Sequence, residues 1–330
     1  MVLFILLLKQ LIVTTIILGF ELSIGLGTFC STWDNRLSTN HKLRLSRLNK
    51  ENLLSVFERN LEDFISLLEL SCSLGLTIFR LGSNFIPFAS HDKFQREWLD
   101  DVEAKLRELS SSILEFGIRI TMHPGQFVVL SSPRPDVVYR SLKELRYHFW
   151  VLDTLGLGRE SVVVVHVGGV YGDKRETMNR FMRVVKENDW LVKRLAIEND
   201  ERYYNVADVV KLGEELGLPV VFDYYHHVLN PSTFNMDKLV DTWSGVIPEF
   251  HLSSKPTQSR RFGEHSDYVK LEDFLELLNI WGDRGPLDVI IEAKKKEKAI
   301  EKLLDELSRI GVTLRKPKCY KQQRSIRQGG

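Results

Sequence analysis

No glycine-rich GxGxxG turn and no GK[ST] loop follows any strand-like run in this chain of 330 residues. The commonest phosphate cradles for bound nucleotides are therefore missing, and no nucleotide cofactor is expected. Cysteine is sparse: Cys30, Cys72 and Cys319 are odd in number and far apart. They suggest neither a disulfide framework nor a zinc ribbon, and they fit a reducing, cytoplasmic setting. A strong charge of one sign is also lacking, since the formal net charge is +1. That balance excludes neither nucleic acids nor small molecules, because a neutral protein can still carry a local basic face. Low-complexity segments are missing as well, so nothing in the composition divides the chain.

Long apolar runs are confined to one place, "MVLFILLLKQLIVTTIILGF" at the amino terminus. It is about as long as a membrane span requires. Lys9 near its middle and the want of a small-residue cleavage site argue against an anchor or export signal, though membrane association stays open. Residues 1–21 are read as an apolar extension, residues 22–312 as one domain and residues 313–330 as a basic tail. That tail carries Arg315, Lys316, Lys318, Lys321, Arg324 and Arg327, which suit either non-specific affinity for a nucleic-acid backbone or a solvated end.

Between those ends, β-branched runs alternate with helical stretches eight times. The strand-like runs are "LSIGLGTF" (22–29), "LTIFRLG" (76–82), "IRITMH" (118–123) and "SVVVVHVGG" (161–169). They continue with "LAIEND" (195–200), "PVVFDYYHH" (219–227), "IPEFHLS" (247–253) and "LDVIIEAK" (287–294). Gly75, Gly117 and Gly217 each close a helical run just before a strand, as a helix C-cap does. Alternation of this kind builds a parallel sheet. Eight βα units predict a closed (β/α)8 TIM barrel rather than an open doubly wound sheet.

Barrels of this type place chemistry at the carboxyl ends of their strands. Strands three to eight end at His123, His166, Glu198, Asp223, His251 and Glu292. His, Asp and Glu make up 53 of 330 residues. Six such ends in a row would then arise about once in 200 chains even if each end is allowed three positions, which favours a site. Imidazoles and carboxylates converging without cysteine suit Zn2+ or Mn2+, and Mg2+ less well. So many ligands imply more than one ion, with Glu198, in the middle of the row, placed to bridge two. Asp223 ends its strand, and His226 in the following loop can reach a neighbouring ion. His265 in "GEHSDY" could join His226, whereas His227 reads as structural, and His41 and His148 as solvated or helix-surface residues.

The stretches "FRLGSNFIPFASH", "MHPGQF", "HVGGVYGDK", "AIENDE", "FDYYHH", "HLSS" and "VIIEAKKKE", in that order, resemble the UV damage endonuclease family over residues 22–297. The resemblance implies a metal-dependent, ATP-independent nuclease that cuts double-stranded DNA 5′ to cyclobutane pyrimidine dimers and 6-4 photoproducts. It implies a cluster of two to three ions, Mn2+ for preference, and no obligate protein partner. Carried over by position, His123, His166 and Glu198 hold one ion. Glu198, Asp223, His251 and Glu292 hold a second, while His226 and His265 share a third. His91 matches a family histidine near the scissile phosphate, and Lys174 in the "GDK" turn is a candidate phosphate contact or a solvated surface residue. Where relatives often carry a modifiable lysine ligand this chain has Glu249, whose carboxylate is expected to ligand directly. Thr28 and Thr32 replace a family Tyr and Asn, and Phe127 replaces a Tyr.

Gln126 and Phe127 follow His123 through a Pro-Gly turn that projects them from the barrel mouth. A photoproduct pairs weakly, so extruding it is easier than extruding intact bases, and an amide and an aromatic face could fill the gap. The rival reading is a divalent-metal sugar isomerase or epimerase on the same barrel. It would need a closed polyol pocket rather than an open groove.

Overall fold

A computed structural model describes residues 23–258 and 261–322. Its eight strands, β1 Ile24–Phe29, β2 Ile78–Leu81, β3 Arg119–Met122, β4 Val163–His166, β5 Leu195–Glu198, β6 Val220–Asp223, β7 Glu249–Leu252 and β8 Leu287–Ile291, form a closed barrel in sequence order. Every neighbouring pair is parallel, including β1 with β8. Each expected strand is present, though shorter than its apolar run. The sixth departs most: the "YYHH" that seemed to prolong it folds as a short helix, Tyr224–Leu229, capped by the Asp223 carboxylate on the His226 N–H at 2.7 Å. Asp at an N-cap competes successfully with strand extension. Gly75 and Gly217 take the left-handed conformation that ends a helix, at φ 71° and 66°.

The apolar core lies between the barrel and its helices. Phe57, Phe64, Phe79 and Phe85 are fully buried there, their rings meeting at centroid distances of 5.6 to 5.7 Å. Inside the barrel the lower layer is polar. Arg119 donates to the Ile247 carbonyl at 2.7 Å and lies 3.4 Å from Asp288, whose other oxygen accepts from Thr77 at 2.6 Å. Arg315 from the carboxyl-terminal segment reaches the same Asp288 carboxylate, and its backbone N–H donates to the Ile24 carbonyl at 2.8 Å. A buried carboxylate needs such partners.

Three expectations change here. The segment from 313 to 322 is not a free tail: Leu314 and Cys319 are buried, and Arg315 closes the lower end of the barrel. Cys72 and Cys319 form a disulfide with Cα atoms 6.0 Å apart. They are 247 residues apart in sequence, so only the closed barrel brings them together. His148 is fully buried in the helix Pro135–Thr154 rather than solvated, and His41 pairs with Asp63 at 2.7 Å. His227 packs against Phe222 and Phe234, as a structural residue does. Residues 1–21, Arg324 and Arg327 lie outside the described residues. Among those described, no helix is long and apolar enough to cross a membrane.

Burial lowers the His148 imidazole from 6.5 to about 4, and its Nδ1–H donates to the Glu144 carbonyl at 2.8 Å. The unfolded chain therefore binds the proton first as pH falls. The stability due to a neutral His148 is complete above pH ~6.5 and drains away toward about 4, by about 3 kcal/mol in all. Urea midpoints of the wild type and His148→Gln, compared from pH 7 to pH 4, should show a shallower acid slope in the variant; parallel slopes would refute this.

Candidate metal centre

Glu198 occupies the floor of the barrel mouth and is 1% exposed. Its Oε2 lies 2.9 Å from His123 Nε2 and 3.5 Å from His166 Nε2. Its Oε1 lies 2.8 Å from His251 Nδ1 and 3.7 Å from His226 Nδ1. Two groups of side chains could each hold a cation: His123, His166 and Glu198, and Glu198, Asp223 and His251, with ligand atoms within 4.8 Å of one another. Glu198 belongs to both. Asp223 is fully buried, yet its Oδ2 has no hydrogen-bond partner, and neither has His166 Nδ1. An orphaned buried carboxylate oxygen beside imidazoles is what a cation site leaves behind when only the protein is counted. A donor set of nitrogen and oxygen without sulfur fits a divalent transition ion or zinc.

Neighbouring backbone orients the ligands. Asn199, just past β5, accepts from the Asp223 N–H at 2.9 Å and donates to its carbonyl at 3.0 Å, locking the ends of β5 and β6. Its own carbonyl accepts from His226 Nδ1 at 3.0 Å, which leaves Nε2 of that ring for a ligand role. His265 Nδ1 stands 3.6 Å from Glu292, and its ring centroid is 6.3 Å from that of His226. His226 and His265 thus face each other across the mouth, outside the two tighter groups.

Glu249 is set one layer lower. Two residues along a strand separate Cα atoms by about 6.6 Å, a gap that side chains on one face can close. Its Oε1 meets His251 Nε2 at 3.1 Å and Thr121 at 3.3 Å. Among the described residues it falls in neither of the two cation-binding groups, and as placed its carboxylate orients a ligand histidine. His91 and Lys174 have partners of their own. His91 accepts from the Lys93 N–H at 3.0 Å and stacks edge-on against Phe88. Lys174 begins the helix Lys174–Glu187 and pairs with Asp208 at 2.6 Å. Neither lines the mouth, whereas Gln126 does. Phe127 stands on the rim, 64% exposed, its ring folded across Gly125, where a Cβ would meet it at 2.8 Å.

Arg80 went unforeseen. It projects from β2 into the mouth, pairs with Glu292 and lies 2.5 Å from His251 Nε2. A lone arginine inside the apolar run "LTIFRLG" was the available signal, hidden because only acids and histidines were sought at strand ends.

The charges divide the imidazoles. Burial lowers His166 to about 4, so it is neutral and free to ligand. Burial also opposes a charge on His226 and His251, but Asp223 and Glu198 lift the first to about 9, and Glu198 lifts the second to about 10 against the opposing Arg80. Burial would raise Glu198 and Glu292. The His251 and His166 rings hold Glu198 well below the carboxylate range, and Arg80 does so for Glu292. A cation entering near His226 and His251 must displace their protons, so its affinity should strengthen from pH 6 to pH 8. Calorimetry in buffers of different ionisation enthalpy should find roughly one or two protons released per ion near pH 7. Affinity independent of pH would contradict this electrostatic reading.

Comparison with known proteins agrees with this geometry. A sequence model described as "UV-endonuclease UvdE" matches residues 28–318. A UV DNA damage endonuclease of Clostridium perfringens is 31% identical over 307 residues, covering 90% of this chain and 74% of the relative. The crystal structure of SacUVDE superposes with a TM-score of 0.79 at 32% identity, covering 88% of this chain and 99% of that one. A D-psicose 3-epimerase crystallised in the presence of D-fructose reaches a TM-score of 0.52 at 15% identity, covering 87% of this chain and 99% of that one, a likeness of fold alone. With its barrel and most of its length in common with these endonucleases, the chain belongs to the UV-endonuclease UvdE family.

Proposed function

We propose that the chain cuts the sugar–phosphate backbone of double-stranded DNA on the 5′ side of ultraviolet photoproducts, in a reaction that needs divalent cations, Mn2+ for preference, and no ATP. One observation carries the reading: Glu198 joins two cation-binding groups at the floor of an open mouth. Paired ions about 3.5–4 Å apart supply Lewis acidity to the attacking and leaving oxygens of a phosphodiester displacement. The protein's part is to hold that geometry. Glu198 fixes the spacing of the two groups, Asn199 fixes Asp223 and His226, and Glu249 fixes His251. His226 and His265 remain candidates for a third ion.

The rim supports a polymeric substrate over a small polyol. Trp33, Phe127, Tyr171, Tyr203, Phe262 and Tyr268 are exposed, and all lie on loops leaving the carboxyl ends of strands. Aromatic faces ringing an open mouth offer stacking to bases, worth about 1–3 kcal/mol each. Gln126, lining the mouth, presents an amide to unpaired base edges. Phe127 beside it presents a ring whose position depends on the bare backbone of Gly125.

An end-labelled duplex with one photoproduct, incubated with the protein and Mn2+, should give a single cut 5′ to the lesion; equal cutting of undamaged duplex, or none, would overturn the reading. Glu198→Gln should keep the fold and DNA binding while lowering incision by about three orders of magnitude or more. Near-normal cutting by that variant would rule out a shared carboxylate. Gln126→Ala and Phe127→Ala should each weaken binding to damaged duplex more than to intact duplex, with metal content unchanged, and Phe127→Tyr should be nearly neutral. Equal losses on both duplexes would mean that these residues do not read the lesion.

A further inference from the structure

Beside the mouth, the loops after β1 and β8 are fastened together. The Trp33 N–H donates to Glu297 at 2.9 Å, and Glu297 is itself 7% exposed. Lys296, at φ 45°, turns its ammonium into the same loop, donating to Ser31 Oγ and to the Thr32 carbonyl at 3.3 Å. A left-handed conformation is uncommon for a residue with a long side chain and needs such surroundings to hold it. These contacts fix the backbone under an indole that remains 43% exposed.

The neighbouring Lys295 lies 4.6 Å over that indole and makes no ion pair among the described residues. Tyr268, from the loop after β7, is also exposed and carries Lys302 at 5.3 Å from its ring. Trp33, Tyr268, Lys295, Lys298 and Lys302 share a shallow depression with Glu301. Glu301 pairs with Lys298 at 2.8 Å, and Glu306 pairs with Lys302 at 3.4 Å. Lys295 is left as the lysine there with a ring but no carboxylate for company. The depression adjoins the mouth along the chain: Phe29 and Cys30 shortly before Trp33, and Glu292 shortly before Lys295, line the mouth, so Lys295 lies within about 11 Å of Glu292.

We propose that this shelf is a second DNA-binding site, which holds the sugar–phosphate backbone of the duplex arm running out of the mouth. Charge complementarity and nearness to the mouth name the occupant. A cation held on an aromatic face offers charge to a phosphate and an apolar surface to the adjoining sugar. The open form of the depression, with no enclosed polar group, does not suit a small molecule. This inference rests on the reading of the substrate as duplex DNA, but not on lesion recognition or on cutting.

The test uses an undamaged duplex of about three helical turns. Lys295→Ala should weaken its binding several-fold and reduce the slope of log K against log salt by about 1, the loss of one phosphate contact. Trp33→Ala should weaken it too, Lys295→Arg should restore wild-type behaviour, and all three variants should keep the wild-type metal content. A loss of affinity with the salt slope unchanged, or with metal lost, would overturn the proposal and leave Lys295 a support of the mouth; no loss at all would remove the shelf. An excess of a poly-glutamate peptide that did not displace the duplex would further favour DNA; preferential binding of that peptide at the shelf would overturn the proposal. Failure of the wild type to cut at a photoproduct would count against the lesion reading alone, because the loss on undamaged duplex is measured without it.

Discussion

Five carboxylates point into one barrel, and their compensation organises everything above and below them. Asp288, at the lower end, has Arg119 and Arg315; Glu249, in the middle, has His251 with Arg119 at 3.7 Å; Glu292, near the rim, has Arg80. Desolvated charges are costly unless paired, and the guanidinium's fixed fork suits the task. Glu198 and Asp223 are the two with no arginine within ion-pair reach among the described residues, only imidazoles. They are also the two that share a cation-binding group with His251. The place where arginine gives out is the place where a divalent cation fits.

How much of this could be read from the letters follows from the physics of strands. A strand end is a short-range feature: apolar residues stop, a polar one follows, and the next turn begins. His123, His166, Glu198, Asp223 and His251 could therefore be found by inspection, and the barrel gathers them although up to 128 residues separate them. Depth within the barrel is a different quantity. Glu249 and His251 face the same interior by the two-residue period, but that period also separates them by a full layer, and only the registered sheet shows what fills the lower one. The Cys72–Cys319 bridge and the burial of His148 depend on partners far away in the chain, so no local pattern announces them.

The epimerase likeness shows how little the scaffold decides. A common barrel serves unrelated substrates, and the difference lies in the loops. Here the loops bring forward indole, phenol and phenyl rings and leave the mouth open to solvent, an arrangement for a long partner whose ends stay outside. Because those rings sit on segments that follow rigid strands, their positions inherit the precision of the sheet while their identities remain free to change.

The carboxyl-terminal segment has a bearing on how the molecule is made. Strand β1 waits for β8 before the sheet can close, and the Ile24 carbonyl waits for the amide of Arg315, some 290 residues later in translation. Until then Asp288 lacks one of its two guanidinium partners and the lower end of the barrel lies open to water. At about 5–20 residues per second, the nascent chain spends many seconds with its first strand made and its last contacts not yet synthesised. Emergence of Arg315, rather than of any internal strand, is then the event that completes the fold.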